Sequence, residues 1–372
     1  MFIFIIILII ILYIAQSRSK KNALTGIKYE YKLNKSAVEI DEQIEMVSTI
    51  TNESRRFVSF IKMSESIPDG AVLPENHLVT RKSKIIVNRN TYNSTIYLMA
   101  RSRLKRKLKL VFPNRGWYVF NGATLTGGDY LGLSADMTRR FQSARTVTVY
   151  PKPLKSLQLN QLVGGFLGDI SVRRFIMEDP VLTIGTREYT GREPMKQVSW
   201  KHTARTNQMM VKQFDYTTEI VVTLLLDIEQ PLGKEYSEDH FETCFSLART
   251  VAEQLDKAKI PFDFTTNALI AGFSKIEQNA TRVSQNLGTA HLRFVLEKLG
   301  RSSYGTKESF QELVAKLQEG QKQHQNHSII IISPSRDAAK SQLANQLKLE
   351  NNGSLLFIYA DNFLSKQDGE TA

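Results

Sequence analysis

Between residues 35 and 150 apolar and polar side chains alternate in short runs broken by turn residues: SAVEIDEQIEMVSTITN, RRFVSFIKMSE, SKIIVNRNTYNSTIYLMA, KLKLVFPNRGWYVFNGATL and ARTVTVYP. Successive side chains of a strand point to opposite faces, so a period of two gives each run one apolar and one wet face. The β-branched content and the spacing of the turns predict an antiparallel β-sandwich of about seven strands. GGDYLGL, residues 127–133, interrupts the rhythm with glycines suited to positive φ and reads as a tight corner.

After Glu219 the pattern changes. EIVVTLLLD is a continuous apolar run, as in a strand covered on both faces. SEDHFETCFSLARTVAEQLDKA follows with Phe241, Cys244, Phe245, Ala248, Val251, Ala252 and Leu255 recurring at three and four, one apolar face of a helix. Ser237 stands before Glu238 and Asp239, where it can cap the first turn. Strands at PFDFTTNALI, HSIIIISP and SLLFIYA alternate with helices at GTAHLRFVLEKLG, KESFQELVAKLQEG and SRDAAKSQLANQLKLE. That alternation predicts a doubly wound, mainly parallel α/β sheet.

The chain begins with an apolar run, Met1 to Ala15, followed by Gln16 and Ser17. As a helix it spans about 22 to 26 Å, slightly under a hydrocarbon core of about 30 Å. Neither a basic leader nor a small-residue cleavage site marks it as a signal peptide, so it reads as a single-pass anchor. Arg18, Lys20, Lys21, Lys28, Lys32 and Lys35 lie behind it, which by the positive-inside bias puts the body in the cytoplasm at the cell membrane. The net charge of +12 is unevenly placed: residues 1–150 carry 23 basic and 11 acidic side chains, whereas residues 151–372 carry 26 of each. RSRLKRKLKL sets Arg101, Arg103, Lys105, Lys107 and Lys109 on one strand face with Leu104, Leu108 and Leu110 opposite. An anionic membrane surface is the partner this asymmetry fits; a lysine-protected edge strand accounts for it equally. The aromatic interleaving of a nucleic-acid binder is missing, so no nucleic acid is expected. The single cysteine, Cys244, rules out an intramolecular disulfide or a cysteine zinc cluster and reads as core filler.

Between the two patterns lies REYTGREPMKQVSWKHTARTNQMMVKQF, residues 187–214. It resembles the signature of the domain-of-unknown-function 58 family (DUF58), R-E-Y-x-x-G-D-P-x-R-x-I-x-W-x-x-x-A-R. Arg187, Glu188, Tyr189, Pro194, Trp200, Ala204 and Arg205 match at the right spacing, while Arg192, Glu193, Lys196 and Val198 depart from it. NRGWYVF and GGDYLGL are similar to two further segments of that family at Arg115, Gly116, Gly128, Asp129, Gly132 and Leu133. The resemblance implies a membrane-anchored protein with a C-terminal domain similar to the von Willebrand factor type A fold, and a MoxR-type AAA+ ATPase as partner. Family members usually carry a pair of N-terminal membrane helices; this chain shows one short run. The type A fold often binds Mg²⁺ through D-x-S-x-S at the end of its first strand, where this chain reads DIEQP, Asp227 to Pro231. Both serines are gone, and Asp227 and Glu229 read as two acids facing solvent or a basic neighbour.

As an enzyme, the 187–214 segment offers Ser199 and His202, but three apart on an extended segment they diverge, and no catalytic role is assigned. Nor does the chain contain a G-x-x-x-x-G-K-[ST] loop. Arg187 and Arg205 supply planar forks for Glu188 or Glu193, and Tyr189 and Trp200 supply flat apolar area. The segment therefore reads as a lock between domains and a docking surface. The whole is a multidomain α+β chain: a transmembrane anchor (1–17), a basic juxtamembrane segment (18–34), the β-sandwich (35–150), a connecting segment (151–214) and an α/β domain (215–372). Its expected role is a non-enzymatic, cofactor-free interaction protein acting in assembly or maturation of envelope complexes, through Arg187, Glu188, Tyr189, Glu193, Trp200, Arg205 and Asp227. The alternative is a divergent Mg²⁺-dependent adhesion module.

Overall fold

The computed structural model describes residues 4–7, 10–11, 13–14, 16–17, 24–73, 85–88, 91–128, 137–176, 183–214, 221–230, 235–321, 327–351 and 354–364. The chain divides into two compact units, Met1–Lys152 and Pro153–Ala372.

The first unit contains β1 (Ile27–Leu33), β2 (Ala37–Val38), β3 (Gln43–Asn52), β4 (Val58–Ser66), β5 (Ile85–Asn88), β6 (Thr91–Leu98), β7 (Arg103–Val111), β8 (Gly116–Gly127) and β9 (Met137–Val149). They form a three-stranded sheet, β1-β3-β7, and a six-stranded sheet, β2-β9-β8-β4-β6-β5, with every pairing antiparallel except β2 with β9. The two sheets share one core, in which Ile44, Met46 and Ile50 meet Ile61, Met63, Phe120 and Leu125. The period of two is visible in β3, whose residues alternate between buried and half-buried along nearly its whole length.

Nine strands are described in place of about seven, and the first corrects a boundary. β1 lies inside the segment 18–34 expected to be juxtamembrane, because Ile27, Tyr29 and Tyr31 alternate into the core. Arg101 also leaves its expected place: it sits in a turn at φ 51, ahead of β7, while Arg103, Lys105, Lys107 and Lys109 are exposed. Gly122 marks a register shift between β8 and β9. Its φ is +94°, and a Cβ there would stand 2.0 Å from the Phe141 carbonyl oxygen, so the strand crosses its neighbour at a point open only to glycine. Of GGDYLGL, residues 129–133 lie outside the described residues.

Of the helical residues described between positions 4 and 17, all but the half-buried Gln16 are exposed, Phe4 by 75% and Tyr13 by 73%. Among the described residues, no helix is long and apolar enough to cross a membrane.

The second unit is mixed α/β. The segment 151–214 is more than a connection. It holds α1 (Leu157–Ile176), the hairpin strands β10 (Thr183–Glu188) and β11 (Met210–Phe214), and between these a 3-10 turn (Met195–Gln197) and α2 (Trp200–Thr206). α1 buries Leu159, Val163, Phe166 and Ile170 at helical spacing, and Asn160 accepts a hydrogen bond from Gln254. The rest comprises β12 (Val221–Leu226), α3 (Glu238–Lys257), β13 (Phe262–Thr266), β14 (Ala268–Ile270), α4 (Lys275–Asn279), β15 (Arg282–Asn286), α5 (Thr289–Arg301), β16 (Ser302–Thr306), α6 (Phe310–Gln321), β17 (His327–Ser333), α7 (Ala338–Asn351), β18 (Leu355–Tyr359) and α8 (Asp361–Leu364).

The main sheet has the order β15-β13-β12-β17-β18, parallel apart from β15 at one edge. β12 is buried along its whole length because both faces are covered. On one side Leu225, Ile329 and Ile331 pack with Phe310, Leu313 and Leu317 of α6 and with Leu347 of α7. On the other, α3 lies over β12 and β17, and His291 of α5 meets the Phe262 ring edge-on at 4.7 Å. Cys244 is fully buried in α3, and burial pushes its thiol pKa up. Ser237 precedes α3, but its hydroxyl meets His240 Nδ1 at 2.8 Å and leaves the capping to its carbonyl.

Candidate functional site

From β12 the chain passes to β13 on one side and only later to β17 on the other, so β12 and its neighbours form the point where the winding reverses. Ligands of open α/β sheets bind at the carboxyl ends of the strands at such a point. Three adjacent strands end here in polar residues: Asp227 directly after β12, Asn267 after β13 and Ser333 at the end of β17. Asp227 is fully buried, so of the two positions expected for it, in solvent or against a basic neighbour, the first does not apply. A strand buried on both faces carries its next residue inward as well, and a buried carboxylate is retained only when it is paired.

The pairing is complete. Asp227 Oδ1 accepts from Asn267 Nδ2 at 2.7 Å and from the Glu229 backbone N–H at 2.9 Å. Oδ2 accepts from Ser333 Oγ at 2.9 Å and from Lys340 Nζ at 2.6 Å. Lys340, in the first turn of α7, donates also to the Glu229 carbonyl at 3.2 Å and stands 3.5 Å from Glu229 Oε2. That same Oε2 accepts the Phe310 N–H at 3.0 Å, placing a carboxylate at the positive end of α6. Asn267 Oδ1 in turn accepts the Ile228 N–H at 2.9 Å. The basic neighbour expected for the two acids is therefore present as Lys340. Asn267, Ser333 and Lys340 were missed from the sequence; Ser333 closes the apolar run 329–332, whereas Asn267 follows two threonines and Lys340 lies within α7, where no local pattern marks it. Pro231 lies outside the described residues, and among those described no group of three or more His, Cys, Asp or Glu side chains converges as for a metal ion.

The second cluster is the 187–214 belt. Its base is the β10–β11 hairpin, extended by Tyr189 N–H to Met209 O at 2.9 Å and by a bridge between Val198 and Val211. Arg187 pairs with Glu193 at 2.7 Å, and Glu193 also accepts from the Thr190 hydroxyl at 2.7 Å and the Thr190 N–H at 3.1 Å. The Thr190 hydroxyl, aided by Arg187, holds the Glu193 carboxyl down at about 2. The stretch after Ser199 is helical and not extended: Ser199 N–H bonds to Met210 O at 2.8 Å, while its carbonyl accepts from His202 and Thr203. The divergence expected of Ser199 and His202 on a strand therefore does not apply; Ser199 is buried before the helix and His202 is exposed on its first turn. Thr203 Oγ1 accepts the Met210 N–H at 3.0 Å and ties α2 to the hairpin, and Asn207 ends α2 at φ 57.

Of the side chains expected to form a lock, Glu188, Trp200 and Arg205 are exposed, Trp200 by 62%, and Tyr189 is half-buried. Met195 and Met209 are exposed as well. The belt is braced internally by Arg187, Thr190 and Glu193 and leaves Trp200 largely in solvent.

The outer face of β1-β3-β7 in the first unit forms a polar surface around Thr49 and Thr51, bordered by Lys28, Lys32, Arg103 and Lys105 together with the acids Glu30 and Glu53. Lys28 pairs there with Glu53 at 2.7 Å and Lys107 with Glu45 at 3.3 Å.

No protein-family model matches the chain, and no curated protein matches it. Solved structures do. The CARDB domain of the PF1109 protein from Pyrococcus furiosus, in complex with di-metal ions, is 17% identical at a TM-score of 0.23, over 33% of this chain and 91% of that one. A cohesin module from a Clostridium perfringens family 33 glycoside hydrolase is 15% identical at 0.26, over 34% and 97%. A type II cohesin domain from the cellulosome of Acetivibrio cellulolyticus is 11% identical at 0.24, over 32% and 94%. Likenesses at this level concern a third of the chain and carry no functional argument.

Proposed function

We propose that this chain is a membrane-tethered, non-enzymatic interaction protein of the DUF58 type, with a von Willebrand factor A-like α/β domain and a MoxR-type AAA+ ATPase as partner. The observation that carries the reading is the state of Trp200: a tryptophan 62% exposed, in the same segment as exposed Met195, Met209 and Arg205, on a hairpin braced by its own ion pair and hydrogen bonds. Tryptophan and arginine on a preorganised surface are the residues that dominate binding energy at protein interfaces. The exposed apolar side chains between positions 4 and 17 support the anchor, and the basic side chains on the outer sheet face support contact with an anionic membrane surface.

The Mg²⁺-dependent adhesion reading is weaker, because Lys340 already pairs with the carboxylate such a module would use. The test is crosslinking from intact membranes followed by pull-down. Wild type should capture a AAA+ ATPase, and Trp200→Ala with Arg205→Ala should lose it without loss of thermal stability. Unchanged capture by that variant, or substrate turnover that depends on a belt side chain, would overturn the proposal.

A further inference from the structure

The Asp227 cluster is an oxygen-rich site whose charge is balanced from within. The Lys340 ammonium has three hydrogens, and three oxygens stand around it: Asp227 Oδ2 at 2.6 Å, the Glu229 carbonyl at 3.2 Å and Glu229 Oε2 at 3.5 Å. A further side is closed by the Phe310 ring, whose centroid lies 5.5 Å from Nζ. Asn267 and the Glu229 N–H occupy Asp227 Oδ1 and so fix the carboxylate's rotation, leaving Oδ2 turned to the ammonium with Ser333 Oγ beside it. Carboxylate, carbonyl and hydroxyl oxygens are the donors that Mg²⁺ or Mn²⁺ prefers. Here they converge on a single positive charge that the chain itself supplies.

We infer that Lys340 is a tethered cation: it fills the position at which Asp227, Glu229 and Ser333 would hold a divalent ion, so the site at the strand ends is closed to metal and recognition by this unit is independent of divalent cations. A divalent ion cannot enter without expelling the ammonium, and Lys340 is nine-tenths buried with its stem held in α7. Removing the ammonium while keeping the oxygens should open the site. The geometric half of this inference stands by itself, and the cation independence of recognition rests on the interaction reading above.

The test uses the full chain in detergent micelles, titrated with Mn²⁺ and Mg²⁺ and melted in EDTA or in either ion. Wild type should show no saturable Mn²⁺ binding and the same midpoint under all three conditions. Lys340→Ala should bind one Mn²⁺ saturably and melt higher in Mn²⁺ than in EDTA, and adding Asp227→Asn should abolish both effects. Should Lys340→Ala fail to fold, Lys340→Met, which keeps the stem volume without the charge, goes through the same titration. Stoichiometric Mn²⁺ binding by wild type that Asp227→Asn removes would overturn the inference, as would a folded Lys340 variant that binds no Mn²⁺. Partner capture by wild type should persist in EDTA. Loss of capture in EDTA while the belt variant behaves as expected overturns cation independence alone; capture that ignores the belt variant overturns the interaction reading alone.

Discussion

Glu65 in the first unit and Asp227 in the second are both fully buried and paired with a cation, and the two pairs are used differently. In the sandwich, Glu65 of β4 meets Arg106 of β7 at 2.9 Å, joining the two sheets across the core. Tyr29 donates to Glu65 at 2.8 Å, Ser48 donates to it as well, and the guanidinium lies over the Tyr92 ring. In the α/β unit, Asp227 meets Lys340 at the strand ends, where three chain segments stop and a helix begins. The first pair is held by side chains: the Tyr29 and Ser48 hydroxyls donate to Glu65, and Arg106 donates to the Ser94 hydroxyl. The second organises backbone: Asp227 fixes the Glu229 N–H and Asn267, and through Asn267 the Ile228 N–H. Burial of charge alone therefore does not mark a functional site; its position in the topology does.

The largest expected effects separate the two pairs. Removing one partner of a buried ion pair leaves an uncompensated charge and costs about 3–5 kcal/mol, so Lys340→Ala and Arg106→Ala should both be severely destabilised in urea unfolding. Replacing both partners by apolar residues of similar volume is often neutral. Glu65→Leu with Arg106→Met leaves the Tyr29 and Ser48 hydroxyls, which can rotate, without their acceptor and should recover part of the loss; Asp227→Leu with Lys340→Met should recover less, since the Asn267 amide and the fixed Glu229 backbone N–H lose theirs. Hydrogen exchange read segment by segment reports each unit separately. Equal recovery in both double variants would erase the distinction. Gly122→Ala in the sandwich adds a strained φ and a clash with backbone and should cost about 1–3 kcal/mol or more.

The units should also fail at opposite ends of the pH scale. Burial pushes the Tyr31 hydroxyl up to about 12 from an ordinary 10, and raises Tyr29 further through burial and the neighbouring Glu65. A raised folded pKa gives stability that is whole below about pH 10 and is lost as pH rises through about 12, so the sandwich should have an alkaline limb. Tyr31→Phe forgoes the bonds accepted by Phe120 O and Ser143 O and should flatten that limb while costing about 1–3 kcal/mol at neutral pH. His291 in the α/β unit is shifted the other way, lowered by burial from its ordinary 6.5. Its contribution is present above pH 6.5 and fades as pH falls, and His291→Gln should blunt the acid loss of that unit alone.

The alternation in β3 and β7, the buried run of β12 and the apolar face of α3 were legible, because each repeats one period over several residues. The ionic pairs were not. Glu65 and Arg106 stand at inward positions of otherwise regular strands, but nothing in either strand reveals that the other faces it 41 residues away. Asp227 could be picked out as an acid at a strand end, while its partner lies 113 residues on, in a helix with little amphipathic pattern of its own. The same weakness hid α1, where Gly164 and Gly165 interrupt a helix whose buried positions are Leu159, Val163, Phe166 and Ile170. In the belt the residue types were legible but not their exposure, which depends on the local hydrogen bonds and ion pair that brace the hairpin without Trp200.

That exposure yields the smallest expected change in stability and the sharpest functional one. Trp200→Ala removes a side chain that is mostly in solvent, so the melting midpoint should move by no more than about 0.5 kcal/mol equivalent, unlike any change at Asp227 or Glu65. Glu193→Gln should act differently within the same belt: it weakens the link to Arg187, lets the loop between Thr190 and Ser199 loosen, and removes a carboxyl that stays ionised down to about pH 2. Hydrogen exchange of the Thr190 and Met210 amides would register that loosening while Trp200→Ala leaves both protected. If Trp200→Ala exchanges like Glu193→Gln, then the tryptophan supports the hairpin, and its exposure no longer argues for a partner.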